Sequence, residues 1–129
     1  MYNAPDKQLK LLNKFASNLM RLSSRQELIW YVVEEVVGQQ GFVDCVIYLY
    51  DNKRQLLVQE AAFGEKDAGN KSIEGAIDIP LGTGITGSVA ASKKAEIIAD
   101  TRQDARYVED LRNMCSELAV PILHEDTLV

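Results

Sequence analysis

The sequence has a single histidine, His124, and its two cysteines, Cys45 and Cys115, form no CxxC motif. One imidazole without neighbouring ligands is a poor basis for a metal centre, a haem pocket or a Ser-His-Asp triad. The cysteine spacing indicates neither a disulfide framework nor a zinc site. We therefore expect no metal and no catalytic residue, and we expect both thiols to be buried as small apolar side chains.

The chain has fewer basic than acidic side chains, with 14 Lys and Arg and 19 Asp and Glu, so its net charge is −5. Without a basic cluster, nucleic acid is not an expected partner. No apolar run approaches the roughly 20 residues that span a bilayer, and the N-terminus lacks the layout of a signal peptide. We expect no membrane partner and a cytoplasmic location.

What the sequence does contain is the composition of one globular domain: 129 residues, 47% hydrophobic and 26% charged. Asp6 is a candidate cap for a first helix with an apolar stripe at helical spacing, formed by Leu9, Leu12, Phe15, Leu19 and Leu22. Ser24 and Glu27 form a capping box for a second helix that runs to about Gly38. The stripe serves either a homodimer or the core of one chain, and the sequence leaves both open.

A β-hairpin is predicted next. Residues 42–50 are rich in β-branched and aromatic side chains, residues 51–54 form a polar turn, and residues 56–63 return antiparallel. Val43, Cys45, Ile47 and Leu49 alternate with Val46, Tyr48 and Tyr50, so both faces of the first strand are apolar. We expect the N-terminal helices to cover one face, and later chain to cover the other face and enclose a pocket.

The remaining chain is predicted to form short elements. After a loop at residues 64–74 we expect a strand at 76–79 that Pro80 stops, a helix at 85–92 and a strand at 96–99. A loop with one or two helical turns then occupies 100–114, and a last strand occupies 116–123.

Residues 82–87 read Gly-Thr-Gly-Ile-Thr-Gly and match the GxGxxG dinucleotide fingerprint, with Asp100 ending the next strand. Too few residues follow Asp100 for the further βα units of a dinucleotide crevice. We favour a tight turn in which the glycines adopt positive φ. Backbone N–H groups near Ile85 and Gly87 are a weaker candidate for holding a polar ligand.

Two further stretches carry candidate polar groups. In residues 100–107, Asp100 and Asp104 can cap a helical turn, and Arg106 can pair with one of them. In residues 116–122 the pattern alternates, and Glu117 is either a surface residue or a polar group at a pocket edge. We favour the surface position.

These stretches, in this order, resemble the GAF family of ligand-sensing domains found in phosphodiesterases, phytochromes and histidine kinases. The matching residues are 45–51, 80–90, Asp100 with Asp104 and Arg106, and 116–122. The resemblance implies an α+β fold with a central antiparallel β-sheet, N-terminal helices on one face that often dimerise, and loops and short helices that cover a pocket on the other. Residues 1–40 would supply the helices and 42–129 the sheet and pocket. The family commonly works within a longer chain that carries an output domain.

The sequence departs from parts of the family. Ser116 follows Cys115 where a covalent bilin would require a Cys-His pair, the Asn-Lys-Phe-Asp-Glu signature of cyclic-nucleotide binders is absent, and Ala105 stands where many members have proline. After a hairpin around His124, a final strand and helix expected of the family are missing, so we expect a truncated domain with an open sheet edge.

We therefore predict a non-catalytic sensory domain that binds a small molecule, with no cofactor identified. The predicted ligand-binding residues are Tyr48, Ile85, Thr86, Val89, Asp100, Arg106, Tyr107, Leu111, Cys115 and Glu117. Two alternatives stay open. One is a GAF-fold reductase of free methionine sulfoxide, which would need a reactive thiol at Cys115. The other is a ligand-free module for dimerisation and signal transmission, whose pocket is filled by its own bulky side chains.

Overall fold

A computed structural model describes residues 4–110 and 115–129 of the chain. Within these residues the α-helices are α1 (Ala4–Leu19), α2 (Arg25–Tyr31) and α3 (Gly84–Ser92). The strands are β1 (Cys45–Asp51), β2 (Leu56–Phe63), β3 (Asp67–Gly69), β4 (Ser72–Ile73), β5 (Asp78–Pro80), β6 (Glu96–Ile98), β7 (Glu117–Ala119), β8 (Leu123–His124) and β9 (Thr127–Leu128). This is the predicted mixture of helices and antiparallel strands.

The N-terminal helices begin and end where local hydrogen bonds dictate. Asp6 does not cap α1, because the helix begins earlier and Asp6 lies in its first turn, where its charge favours the helix N-terminus. Ser24 caps α2 as predicted and accepts the N–H of Glu27. The helix continues as a π-helical segment, Val32–Val37, and a 3-10 turn that ends at Gly41 with a left-handed φ of 84°.

The central sheet is the predicted hairpin of β1 and β2, extended by β5. Asp51 fixes the turn, since its carboxylate accepts the N–H groups of Lys53 and Arg54. The strand β5 lies beside the first residues of β2, two residues later than the sequence indicated, and Pro80 ends it at the edge of this sheet, where no ladder donor is needed. Every strand pair among the described residues is antiparallel.

Each face of the sheet is covered by a different layer. On one face Ile29, Trp30 and Val33 pack on Ile47 and Ala61. On the other, Ala90 of α3 packs with Leu57 and Ile79, and Tyr48 and Tyr50 lie against this second cluster. The prediction that helices cover one face and later chain the other is confirmed. The helical cover comes from α2 and its extension, whereas α1 touches α2 through Phe15 and Asn18, which contact Tyr31.

A β-bulge decides which polar groups reach the second face. Ile47 pairs with Ala61 but Tyr48 pairs with Gln59, so Glu60 is an extra residue on β2. The bulge turns Gln59 onto the face of Tyr48 and of α3, while Ala61 stays on the helix face. Residues 56–63 read Leu-Leu-Val-Gln-Glu-Ala-Ala-Phe, and no glycine or proline in this run marks the position of the shift.

The later chain contains more strand than predicted. A small hairpin, β3 with β4, occupies part of the predicted loop at 64–74. The expected strand at 116–123 is the shorter β7, which pairs with β6, and the predicted hairpin around His124 is formed by β8 and β9. The predicted helical turn after Asp100 is a 3-10 turn at Thr101–Gln103. The carbonyl of Val129 accepts the N–H of Tyr50, 2.8 Å away.

Candidate functional site

Thr101 is the most buried polar residue among the described ones and lies in the 3-10 turn after Asp100. The two other buried polar residues, Gln59 and Lys66, lie at the sheet face that α3 covers. They belong to what we term the sheet-face polar cluster: Tyr48, Gln59, Lys66 and Asp110. Gln59 is 5% exposed and Lys66 is 3% exposed. Polar groups at this depth are costly unless they are hydrogen-bonded, and each of these is.

Gln59 occupies the middle of the cluster because of the bulge. Its Nε2 donates to the hydroxyl of Tyr48 at 3.0 Å and to Oδ2 of Asp110 at 3.1 Å. Its Oε1 accepts the N–H of Ile77 at 3.1 Å. The amide therefore uses both its donor and its acceptor sides, and the acceptor bond fixes which way the donors point.

Lys66 follows β2 and turns its ammonium inward. Nζ donates to the carbonyl of Gly75 at 2.8 Å and to Oδ1 of Asp110 at 2.9 Å. Asp110 thus has one carboxylate oxygen on an ammonium and the other on an amide. Its side chain is 25% exposed, which leaves the carboxylate accessible to solvent, whereas the lysine is not.

The environment keeps Tyr48 neutral. Burial raises the pKa of its phenol to about 12, the hydrogen bond from Gln59 acts in the opposite sense, and the charges of Asp110, Glu117 and Asp44 add to the increase. A neutral phenol offers both a donor and an acceptor. Tyr48 was predicted to face a pocket, and the structure places its hydroxyl in the sheet-face polar cluster, where it accepts a hydrogen bond from Gln59.

Glu117 and Thr86 form a second polar contact nearby. The hydroxyl of Thr86, in the first turn of α3, donates to Oε1 of Glu117 at 3.2 Å. Glu117 is half-buried, which corrects the preference for a surface position, and its burial raises the pKa of the carboxyl. Because the charge of Glu117 also raises the pKa of Tyr48, the structure brings three predicted residues to the same region.

The glycine motif at residues 82–87, which includes the start of α3, is held together by its own backbone hydrogen bonds. Gly82 and Gly84 have φ of 84° and 68°, as predicted for a tight turn. The N–H of Gly82 donates to the carbonyl of Gly87, and a Cβ on Gly87 would lie 2.7 Å from the carbonyl of Pro80. The N–H of Gly87 bonds to Thr83, so it does not serve the ligand role considered for it.

The guanidinium of Arg106 forms ion pairs with acidic side chains that lie outside the sheet-face polar cluster. Its guanidinium donates to both carboxylate oxygens of Glu96 and to both oxygens of Asp104. These hydrogen bonds lower the pKa values of Glu96 and Asp104. Asp100 caps the 3-10 turn and pairs with Arg102. Arg106 and Asp100 are therefore structural anchors of this loop.

The other predicted site residues divide by burial. Ile85 and Val89 are buried on α3, and Tyr107 is half-buried. Cys115 is exposed, contrary to the expectation of a buried thiol, and its carbonyl accepts the N–H of Thr101. Leu111 lies outside the described residues. Gln59, Lys66 and Asp110 were not predicted, although Gln59, on the same strand as buried Leu57, could have been suspected.

Two clefts lie away from the polar cluster. One, of about 360 Å³, lies between Tyr50, α3 and the end of the chain. The other, of about 410 Å³, lies beside α2 and is lined by Arg21, Glu34, Lys71 and neighbouring residues. Neither is lined by a predicted site residue.

The described residues offer no group of three or more His, Cys, Asp or Glu side chains placed to bind a metal ion. In the same part of the chain, no helix is long and apolar enough to cross a bilayer. Of the two thiols, Cys45 has a pKa raised to about 11, mainly by burial.

Comparison with known proteins gives one family. The model described as GAF domain matches residues 23–129. No curated protein matches the chain. The matched region begins after α1, so the family pattern covers α2, the sheet and the whole polar cluster.

Several solved structures have the same fold. The GAF domain of an Acinetobacter phosphoenolpyruvate-protein phosphotransferase is 20% identical, with a TM-score of 0.81 over 99% of this chain and 74% of that one. The free methionine-R-sulfoxide reductase of Neisseria meningitidis, solved with its substrate, is 16% identical, with a TM-score of 0.79 over 99% and 72%. The nlh2 GAF domain of A. aeolicus, in an inactive state, is 15% identical, with a TM-score of 0.78 over 98% and 76%. At these identities the likeness establishes the fold alone.

Proposed function

The chain belongs to the GAF domain family, a sensory and regulatory fold, and on that premise we propose that it is a non-catalytic sensor that binds a small molecule at the sheet-face polar cluster. The observation that carries the proposal is the depth of Gln59 and Lys66. A sheet face that only had to hold α3 would be filled by apolar side chains, as Leu57 and Ile79 fill it farther along. Buried donors beside a loop are the arrangement expected of a ligand pocket.

The predicted residues extend the same site. Tyr48 belongs to the cluster, while Thr86 and Glu117 offer a second polar contact beside the buried apolar surface of Ile85 and Val89. A ligand whose polar end binds Gln59 and whose apolar body packs against α3 would contact both the polar cluster and the apolar surface of Ile85 and Val89. Asp100, Arg106 and Tyr107 lie in the loop that leads to Asp110, and Cys115 follows residues 111–114; we assign no direct ligand contact to these four residues.

Native mass spectrometry of the purified protein, compared with its denatured mass, tests this function. We expect an additional noncovalent mass on the folded protein. Gln59→Leu removes the central amide and should lose that mass, while Gln40→Leu, at an exposed glutamine, should retain it. A ligand retained equally by both folded variants would contradict binding at the cluster.

We propose further that the domain transmits binding through α1, within a longer chain that carries an output domain. Leu9 and Leu12 on α1 are 57% and 63% exposed, and α1 is tied to α2 chiefly through Tyr31. An exposed apolar stripe on a loosely attached helix suits a homodimer, in which the helix of a second copy covers it.

Sedimentation of wild-type protein and of Leu9→Ser/Leu12→Ser tests the dimer. Burying two leucines contributes about 1.5–3 kcal/mol each, so the variant should dimerise at least about tenfold more weakly. Ile97→Ser, at an exposed apolar residue on β6, is the matched control and should leave association unchanged. A wild-type monomer at high concentration would contradict this part of the proposal.

We assign no catalytic residue. Reduction of methionine sulfoxide would need a thiolate, and the raised pKa of Cys45 keeps that thiol protonated at neutral pH. Cys115 is exposed and is the remaining candidate. We expect no turnover of free methionine sulfoxide; turnover that disappears in Cys115→Ser would overturn the non-catalytic assignment.

A further inference from the structure

The carboxylate of Asp110 accepts hydrogen bonds from two donors that also form other hydrogen bonds: Gln59 on β2 and Lys66 in the turn after it. The amide of Gln59 is oriented by the N–H of Ile77, which its Oε1 accepts. The ammonium of Lys66 is bound to the carbonyl of Gly75. Each donor therefore keeps a hydrogen bond that does not involve Asp110, and together the two present N–H groups to two oxygen atoms of one planar group.

Asp110, which accepts hydrogen bonds from both Gln59 and Lys66, lies in an irregular segment of the chain. Asp110 ends residues 104–110, a stretch without helix or strand. Two anchors among the described residues of that stretch precede Asp110: Arg106 bonds to Glu96, and Val108 lies against the backbone position of Gly84. A half-buried side chain beyond those anchors can leave the cluster without disrupting the sheet.

The positive charge of Lys66 determines which chemical group can replace Asp110. A withdrawn Asp110 would leave the nearly buried ammonium of Lys66 without its counterion, which is strongly unfavourable. The replacement must be anionic and must present a second oxygen to Nε2 of Gln59. The hydroxyl of Tyr48 is adjacent and adds one more polar contact for the group that enters.

We propose that Gln59 and Lys66 form a carboxylate-binding subsite, and that Asp110 occupies it until a small-molecule carboxylate takes its place. The proposal rests on the sensory function proposed above and deepens it by naming the ligand class. It also gives the sensor a mechanical step, because the ligand can enter only when the side chain of Asp110 withdraws. Asp110 then acts as an internal competitor that sets the ligand's apparent affinity.

Chemical rescue tests the subsite with acetate as the probe. Asp110→Ala vacates the site, and we expect acetate to raise the melting temperature of this variant saturably. Acetate should bind it on the order of tenfold more tightly than the wild type, where the aspartate competes. Glu109→Ala removes an adjacent, exposed carboxylate and should show no such gain. Acetamide and chloride at matched concentration control for shape and ionic strength.

Lys66→Met in the Asp110→Ala background should abolish the acetate response, because it removes the charged donor. Should Asp110→Ala fold poorly, Asp110→Asn keeps the shape without the charge and should still gain acetate binding over the wild type. An acetate response no larger than that of chloride in both Asp110 variants would overturn the subsite. So would a response that persists without Lys66.

The rescue also separates this proposal from the function it rests on. A noncovalent mass that depends on Gln59 but persists in Lys66→Met would support a sensor and overturn the carboxylate subsite. Acetate rescue that depends on Lys66 supports the subsite whether or not a natural ligand copurifies.

Discussion

Replacing Lys66 by methionine is the sharpest test of the buried cluster, because methionine keeps the apolar stem and removes only the ammonium. The structure gives that ammonium two partners, at 2.8 and 2.9 Å, and buries it almost completely. Breaking a buried ion pair costs about 3–5 kcal/mol when the remaining charge stays buried.

Asp110 is less buried than the charges to which this range of about 3–5 kcal/mol applies. It keeps its bond from Gln59 and is 25% exposed, so water can solvate it in part once the ammonium is gone. We therefore expect a loss smaller than that range, about 2 kcal/mol in the free energy of unfolding, because solvent screens the remaining charge.

Urea denaturation followed by circular dichroism measures this loss. In a double-mutant cycle with Asp110→Asn, the coupling between the two side chains should be about 1–3 kcal/mol. Lys94→Met, at an exposed lysine, controls for the substitution itself and should not change stability measurably. Equal stability of Lys66→Met and wild type, or additive effects in the cycle, would refute the reasoning.

Three further predictions test the site and its surroundings. Gly87→Ala should destabilise the protein by about 1–3 kcal/mol in thermal unfolding, because its Cβ would meet the carbonyl of Pro80; an unchanged melting temperature would contradict the close approach. Burial raises the pKa of Tyr48 to about 12, so its contribution to stability is complete below the unfolded value near 10 and is lost as the pH rises towards 12. Stability should fall less steeply over that window in Tyr48→Phe, and an identical slope would count against the burial. At pH 8, iodoacetamide should modify exposed Cys115 well before Cys45, whose pKa is raised to about 11; equal rates in a peptide map would contradict this.

The architecture was predictable because its signals are local and redundant. The capping box at Ser24 and Glu27, the turn at Asp51 and the alternation along β1 each specify one element without reference to the rest. The positive φ values of Gly82 and Gly84 follow from the same logic. Errors in the elements were confined to their ends, as at Asp6, and to the short hairpin of β3 and β4, whose strands of three and two residues carry too little pattern.

The polar cluster could not be predicted because its members meet only in three dimensions. Lys66 and Asp110 are far apart in sequence, and each reads alone as a solvated charge in a polar loop. The bulge at Glu60 turns Gln59 to the second face without a glycine or proline to mark it. Tyr48, Thr86 and Glu117 were within reach of sequence reasoning because strand alternation and the helix start place them.

The central claim is that the polar cluster senses a small molecule, and a thermal-shift screen of metabolites across three proteins tests it most directly. We predict at least one molecule that raises the melting temperature of wild-type and Gln40→Leu protein but not of Gln59→Leu. Stabilisation of all three proteins alike by every active molecule, or no stabilisation by any, would contradict a ligand site on this face of the sheet.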